Sequence, residues 1–287
     1  MKIGISSTGR SLVENVYKRF WRSPVYMIYD TKKRNFEYIT NYCKYGESIG
    51  PQVAQILVNK KVKIVITDEI DEVSYNIFKN SSIKVYSGYP GLGKEALANF
   101  SKGNLKPVIE NSINIKKIEK DLKIKKGFRS KINHFIFLDK ALILKGKNRL
   151  FEDWEMKLHL DAKKRVPKNW SNPVNYANGI YHLQLEVIEM KKIEKLIEFE
   201  FGWCNYIEEK HPNIPHRCTF GYYSNFTSPG VYEHMARIKD MENTSVDGKE
   251  ENWNWKAGWD SPFCLIKPYG QDPFPVKLRV TVTVYEA

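Results

Sequence analysis

Two cysteines and two histidines in the second half of the chain are spaced closely enough to bind one metal ion. They are Cys204, His211, His216 and Cys218. Thiolate and imidazole groups are the ligands that Zn²⁺ and iron prefer. The spacing matches no standard zinc finger, so a disulfide and purely structural roles stay open. Cys204 follows one predicted strand and Cys218 lies at the start of the next. Because consecutive strands joined by a short loop usually pair, we expect the two cysteines to lie close together.

Aromatic residues are dense in two polar segments of the same half. Trp253, Trp255 and Trp259 fall in one segment, and residues 220–226 contain four more aromatic side chains. Flat rings on a β-sandwich can stack on sugars, so one interpretation is a carbohydrate site. The other is that the rings anchor the core and the loops. His159 and His182 fall on the polar faces of predicted strands, where we expect solvent exposure.

The composition is typical of a globular chain, with 42% apolar and 28% charged residues. No apolar run is long enough for a membrane-spanning helix, so we expect no membrane partner. The first ten residues lack the apolar core of a signal peptide, which predicts a cytoplasmic protein. Four cysteines are too few for a disulfide scaffold.

Positive charge is concentrated in the first half. Residues 1–132 hold 25 Lys and Arg against 12 Asp and Glu, so they carry the whole net charge of +13. All six histidines and six of the seven tryptophans lie after residue 132. This double change predicts a domain boundary, with 107–132 as a Lys-rich linker. The basic half could bind a polyanion, but we interpret it as a solvated surface and do not expect nucleic acid as a partner.

Strand and helix patterns alternate in the first half, which predicts a mixed, mainly parallel α/β sheet. Gly50 and Pro51 mark the start of one helix, since proline is favoured in a first turn. Acidic residues at 68–72 are interpreted as the start of the next helix, and a divalent-cation site is the alternative. The predicted strands are 2–6, 25–30, 36–40, 62–67 and 83–87, and the predicted helices begin at 50, 71 and 91.

The pattern of the second half predicts an all-β domain. Its last strand alternates strictly, with Leu278, Val280, Val282 and Val284 on one face. Because the predicted strands have one polar face, we expect antiparallel sheets packed as a jelly-roll-like sandwich over 133–287. The predicted strands are 134–144, 154–160, 181–187, 196–203, 217–223, 231–239 and 277–285.

Several stretches of residues 1–106 resemble one known family. The opening MKIGIS is similar to its first strand, RFWRSP at 19–24 to its RFGRAP-type turn, and GPQVAQIL at 50–57 to its GIQAAQLL-type helix start. Residues 83–88 and 95–105 are similar to its closing strand and helix. The family is that of NifX and the NifB C-terminal domain, the dinitrogenase iron–molybdenum cofactor-binding domain, which has a ribonuclease H-like fold.

The resemblance implies that this domain binds or carries an iron–sulfur or iron–molybdenum cluster without turnover. It implies cofactor-binding roles for Arg19, Arg22, Cys43, Gly46, Gly50 and Gln52. Such clusters are anionic and favour thiolates and basic surroundings. Cys43 precedes a predicted helix N-terminus, which also favours anions, although an inert structural role for this cysteine stays open.

The sequence therefore predicts two domains and a non-enzymatic function. Residues 1–106 form a NifX-like α/β domain that binds a metal cluster. Residues 133–287 form a β-sandwich that recognises a carbohydrate or a protein partner. The alternatives are an enzyme or carbohydrate-binding protein whose site lies in the sandwich, and a polyanion-binding protein that uses the basic half.

Overall fold

A computed structural model describes residues 1–43, 49–109, 115–116, 131–145, 155–157, 179–205, 217–237 and 262–286. The chain divides into two compact units, Met1–Asn133 and His134–Ala287. Within the described ranges, no helix is long and apolar enough to cross a membrane.

The N-terminal unit alternates strands and helices, as the sequence predicts. A short 3-10 turn, Phe20–Arg22, precedes the second strand. The strands are β1 (Lys2–Ser7), β2 (Val25–Asp30), β3 (Asn35–Asn41), β4 (Val62–Ile66), β5 (Ile70–Asp71), β6 (Lys84–Tyr86) and β7 (Ile115–Lys116). The helices are α1 (Gly50–Asn59), α2 (Glu72–Asn80) and α3 (Gly93–Ser101).

The main sheet of this unit is mixed and has the strand order β6-β4-β1-β2-β3. Strand β4 is parallel to β1 and to β6, whereas β2 is antiparallel to both β1 and β3. Strands β1, β3, β4 and β6 therefore run in the same direction, and their last residues meet at one edge of the sheet. We call this edge, formed by Ser7, Asn41, Ile66 and Tyr86 and the loops that follow them, the carboxyl edge.

Helices cover both faces of this sheet. Alternate residues of β1 and β2, such as Ile5 and Met27, pack with Ala96 of α3. On the other face, a Cβ on Gly4 would lie 3.4 Å from Leu57 of α1, so α1 packs directly over β1. Because each helix follows a strand that ends at the carboxyl edge, all three helices begin there. Ligands of open α/β sheets commonly bind at such an edge.

Parts of the predicted linker 107–132 belong to the N-terminal unit. Pro107 pairs with Tyr86, the Val108 N–H donates to the Val85 carbonyl at 2.7 Å, and β7 pairs with β5. The Ile132 N–H donates to Gln55 Oε1 of α1 at 3.1 Å. Most of this segment lies outside the described residues, so its behaviour as a linker stays a prediction.

The C-terminal unit is built of antiparallel strands. They are β8 (His134–Leu144), β9 (Glu155–Lys157), β10 (Ile180–Glu189), β11 (Ile197–Asn205), β12 (Arg217–Phe226), β13 (Gly230–Arg237), β14 (Pro262–Lys267) and β15 (Val276–Tyr285). One group has the order β13-β10-β15-β8 and the other the order β12-β11-β14-β9. Every pairing within these two groups is antiparallel.

Residues from both groups share one hydrophobic core. Leu183 and Val282 come from the first group, and Phe199 and Ile266 come from the second. All four side chains are fully buried. Both groups therefore contribute buried side chains to the same core.

Candidate metal-cluster site

The Phe20–Arg22 turn is anchored at the carboxyl edge, and two of the predicted site residues belong to it or adjoin it. The Phe20 N–H donates to the Glu69 carbonyl at 2.9 Å, and the Tyr26 hydroxyl donates to the Phe20 carbonyl. The Phe20 ring also packs edge-on against Tyr26 and Phe78. Arg19 is exposed and Arg22 is partly buried, so two basic side chains flank a rigidly held turn.

Asn41 connects this turn to Cys43. Its side-chain amide donates to the Ser23 carbonyl at 3.0 Å, and its side-chain oxygen accepts from the Cys43 N–H at 2.9 Å. Cys43 is partly buried. Its charge helps to raise the pKa of Tyr26, which indicates that the thiol lies within electrostatic range of that hydroxyl. The single thiol of the described N-terminal residues therefore sits beside the arginine-flanked turn.

Helix α1 begins against the same turn. The Ile49 N–H donates to the Trp21 carbonyl at 3.3 Å. A Cβ on Gly50 would overlap Asp71 Oδ2, and it would lie 2.6 Å from Ser74 Oγ and 2.8 Å from Trp21 Cβ. Only glycine fits at this position. The structure thus gives Gly50 a packing role that allows α1, α2 and the turn to meet.

Asp71 is a buried carboxyl group at the centre of this contact. It caps α2, because its Oδ1 accepts from the Ser74 N–H at 2.8 Å. Burial raises its pKa, and the hydroxyl and backbone of Ser74 partly offset that rise. Its Oδ2 makes no hydrogen bond to the described residues. The acidic stretch 68–72 therefore starts a helix, as its pattern indicates.

Tyr26 shares this environment. Burial raises its pKa well above the ordinary value, and the charges of Asp71 and Cys43 raise it further. A buried hydroxyl that stays protonated donates to the turn without adding negative charge.

Arg10 is a third basic residue at the carboxyl edge, and no motif in the sequence marks it as a site residue. Its Nε donates to Thr40 Oγ1 at 3.1 Å, and its Nη2 contacts the same oxygen. Burial raises the pKa of Tyr38 and Tyr42, and the Arg10 charge opposes that rise. Arg10 therefore lies beside the segment that leads to Cys43.

The predicted cofactor-binding residues of the N-terminal unit meet at this edge where they are described. Arg19, Arg22, Cys43 and Gly50 surround the Phe20–Arg22 turn, and Gln52 is buried in the first turn of α1. Gly46 lies outside the described residues. Among the residues that the structure describes, no three His, Cys, Asp or Glu side chains come together as a metal site.

In the C-terminal unit, the predicted proximity of two cysteines is confirmed. Cys204 lies directly opposite Cys218 in the register of β11 and β12. His211 and His216 lie outside the described residues, and nothing in the described part of the chain supports zinc binding. The four-residue metal site stays a prediction.

The expected exposure of His182 is wrong. His182 is 7% exposed, and its Nε2 lies 2.8 Å from Oε2 of Glu233, which is 2% exposed. Gln184 donates to the other oxygen of Glu233 at 3.3 Å.

His159 and the tryptophans at 253–259 lie outside the described residues, so the carbohydrate site stays untested. Phe226, at the end of the other aromatic segment, is buried in the core.

Three proteins of known structure are among those similar to the N-terminal part of this chain. A protein assigned as NifB from Thermotoga is 31% identical, over 39% of this chain and 98% of that chain, with a TM-score of 0.35. The apo form of the orange protein from Desulfovibrio gigas is 22% identical, over 37% and 92%, with a TM-score of 0.35. A protein assigned as a dinitrogenase from Methanocaldococcus jannaschii is 19% identical, over 38% and 94%, with a TM-score of 0.29.

The comparison with curated proteins gave no match. A family model described as dinitrogenase iron-molybdenum cofactor matches residues 1–103. This range ends just after α3 and includes Arg10, Arg19, Arg22, Cys43 and Gly50. Residues 1–103 therefore belong to the dinitrogenase iron-molybdenum cofactor family, as the sequence resemblance predicted.

Proposed function

We propose that the N-terminal unit binds and carries an anionic iron–sulfur or iron–molybdenum cluster at the carboxyl edge. The observation that carries this proposal is the link made by Asn41, which ties Cys43 to the residue after the arginine-flanked turn. The family match of residues 1–103 supports the same class of ligand. In this proposal the protein carries the cluster without a catalytic turnover.

The residues at this edge suit such a ligand. A Cys43 thiolate is a soft ligand for iron, and Arg19 and Arg22 supply positive charge. The N-terminus of α1 starts at Gly50 and adds a favourable dipole. The buried Asp71 does not oppose an anion while it is protonated, which is the state that its raised pKa favours. We assign Gly46 and Gln52 to the rim of the same site.

Anaerobic reconstitution with iron and sulfide, and separately with isolated iron–molybdenum cofactor, tests the proposal. Iron and molybdenum per chain and the visible absorbance are measured after desalting. Cys43→Ser is expected to lower occupancy at least threefold, because serine replaces the soft ligand. The double variant Arg19→Gln and Arg22→Gln is expected to weaken retention, most strongly at high salt.

A charge-matched control is available at the opposite edge of the sheet. Lys32 and Lys33 are exposed in the β2–β3 turn, where β2 ends. Replacing both with Gln removes the same two positive charges, and we expect it to leave occupancy unchanged. Equal metal content in the parent, in Cys43→Ser and in the arginine variant would refute the assignment of the site.

We also propose that the C-terminal unit is a jelly roll with a recognition role. Numbered along the unit, its two strand groups have the orders 1-8-3-6 and 2-7-4-5, which support a jelly-roll topology. Jelly rolls occur in lectin domains among others, so the proposed ligand is a carbohydrate or a protein partner. Glycan-array binding by the full chain tests the carbohydrate, with Trp253→Ala and Trp259→Ala expected to abolish any signal. A signal that both variants retain would contradict the assignment to that segment.

The limits of the two domains belong to the same proposal. We place the cluster-binding domain at 1–106 and the recognition domain at 133–287, with 107–132 between them. Brief proteolysis of the full chain is expected to cleave first within this Lys-rich segment. First cleavage inside the strands β10 to β13 would contradict this division.

A further inference from the structure

The β11–β12 pairing contains an irregularity that places two cysteines opposite each other. From Ile197 to Trp203 the register is regular, and Trp203 pairs with Phe220. Continued by one residue, this register would place Cys204 opposite Thr219. The register instead shifts between Trp203 and Cys204, and Cys204 pairs with Cys218. Bulges of this kind re-aim residues and terminate pairing at defined positions.

The position in the hairpin suits a covalent link. Directly opposite residues of antiparallel strands share a face of the sheet, and their Cα atoms lie about 4.5–5.5 Å apart. A disulfide needs a Cα separation of about 4.4–6.8 Å. Within the described residues, one further pair, Asn205 with Arg217, follows the cysteines toward the joining segment. A bond here would link the two strands close to the last described pair.

The remaining cysteine of this unit occupies a different position. Cys264 lies on β14, on the other side of β11, and its partner there is Phe201. The register therefore selects one cysteine pair, and neighbouring strands offer Cys264 no directly opposite cysteine.

We propose that Cys204 and Cys218 form a redox-sensitive dithiol that oxidises reversibly to a cross-strand disulfide. The oxidant is a small disulfide such as oxidised glutathione. The thiolate of one cysteine attacks a sulfur of that disulfide, breaks its S–S bond and releases one glutathione thiolate. The second cysteine thiolate then attacks the protein cysteine sulfur of the mixed disulfide, which forms the Cys204–Cys218 bond and releases the second glutathione thiolate. Overall, two protein S–H groups become one S–S bond, and one external disulfide becomes two thiols.

The paired geometry favours this bond over mixed disulfides elsewhere. The fold already holds the two residues opposite each other, so closing the bond costs little additional ordering. A cysteine without an opposed thiol stops at the mixed disulfide, which reduced glutathione reverses. The pair is therefore expected to be oxidised at glutathione ratios at which Cys43 and Cys264 remain as thiols.

Thiol counting on the full chain tests the proposal. The reduced protein contains four thiols, and equilibration with a glutathione buffer of stepped ratio should lower the count under denaturing conditions to two. Peptide mapping after alkylation should recover Cys204 linked to Cys218. Dithiothreitol should restore all four thiols. This measurement needs no variant and does not depend on whether a substituted chain folds.

Matched variants assign the bond. Cys204→Ser and Cys218→Ser should each abolish the cooperative loss of two thiols, whereas Cys264→Ser should retain it. A count that stays at four, or a linked peptide that contains Cys264 or Cys43, would overturn the proposal. Two thiols that resist oxidation until a chelator removes bound zinc would also overturn it, in favour of a metal site.

Discussion

Replacing Gly50 with alanine gives a sharp test of how the carboxyl edge is assembled. The new Cβ would overlap Asp71 Oδ2 and lie within 2.8 Å of Trp21 Cβ. Neither neighbour can move easily. The carboxyl group is buried and caps α2 through Ser74. Trp21 belongs to a turn whose first residue, Phe20, is held by hydrogen bonds with Glu69, Ser23 and Tyr26.

Three effects determine the size of the change. Overpacking of a tightly filled site typically costs about 1–3 kcal/mol. Displacing the Asp71 carboxyl group would also weaken the cap of α2, which is worth about 1 kcal/mol. Alanine in place of glycine gains about 0.5–1 kcal/mol from the unfolded chain and helix propensity. The net expectation is that Gly50→Ala lowers the free energy of unfolding by about 2 kcal/mol.

Gly93 provides a matched control because it is also the first residue of its helix. The nearest atom to a Cβ there is Met27 Cε at 3.2 Å, the end of a flexible side chain. Gly93→Ala therefore makes the same chemical change at the same helix position without a rigid obstacle. We expect its effect on stability to be much smaller.

Amide hydrogen exchange of the full chain, followed by mass spectrometry of peptides from α1 and α2, measures the difference. A loss of about 2 kcal/mol corresponds to exchange that is about 30-fold faster for the most protected amides. If Gly50→Ala exchanged no faster than Gly93→Ala, Asp71 and Trp21 would have room to yield, and the packing role of Gly50 would be refuted.

Three further substitutions have expected outcomes. Burial raises the pKa of Asp71 above its ordinary value of 3.8. The stability that the protonated Asp71 carboxyl group contributes is therefore complete below that pH, and it is lost as the pH rises through the folded-state pKa. In urea titrations between pH 4 and 8, the parent should lose stability relative to Asp71→Asn; parallel pH profiles would contradict this. Asn41→Ala removes the link to Cys43 without changing charge, and reconstituted iron content should fall at least twofold; parent-like content would show that the link is dispensable. His182→Ala removes the imidazole partner of the buried Glu233 carboxylate, which keeps its hydrogen bond from Gln184, and this should cost about 1–3 kcal/mol in chemical denaturation; an unchanged stability would refute a stabilising role for the His182–Glu233 contact.

The elements of the N-terminal unit were largely predictable because their signals are local. Strand β2 has the predicted bounds, and α1 begins at the predicted glycine and proline. Asp71 also carries a local signal, since aspartate is a favoured residue at the start of a helix. Periodicity and helix capping depend on residues that are a few positions apart, so both can be recognised from a single sequence.

The contacts that assemble the site were not predictable in the same way. Arg10 meets Thr40 across 30 positions of the chain, and nothing in the sequence near either residue indicates the contact. Position 50 requires glycine because the carboxyl group of Asp71, 21 positions later in the sequence, occupies the space that a Cβ would fill. Such requirements become visible only when the fold brings distant segments together.

His182 shows a different limit. Alternation along β10 correctly separates Leu183 and Leu185, which enter the hydrophobic core, from His182 on the opposite face. Alternation identifies two faces but does not say whether the second is covered. The residues opposite or beside His182 on that face include Met235 and Tyr285, which are both buried. Apolar residues on the polar faces of neighbouring strands indicate that this second face is covered. This signal can be used only when the pairing register of the strands is known.

The charge balance at the carboxyl edge bears on how this edge could combine an acidic helix start with the anionic cluster that we propose for it. Coulomb repulsion between a cluster and an ionised Asp71 would be strong in a buried environment. Burial, however, favours the neutral carboxyl group, and the same group remains able to cap α2 through Oδ1. Arg19 and Arg10 are exposed on the same edge, so their positive charge faces the solvent from which a ligand would approach. The Asp71 carboxyl group therefore caps α2 from a buried position, while Arg19 and Arg10 place positive charge on the exposed side of the edge.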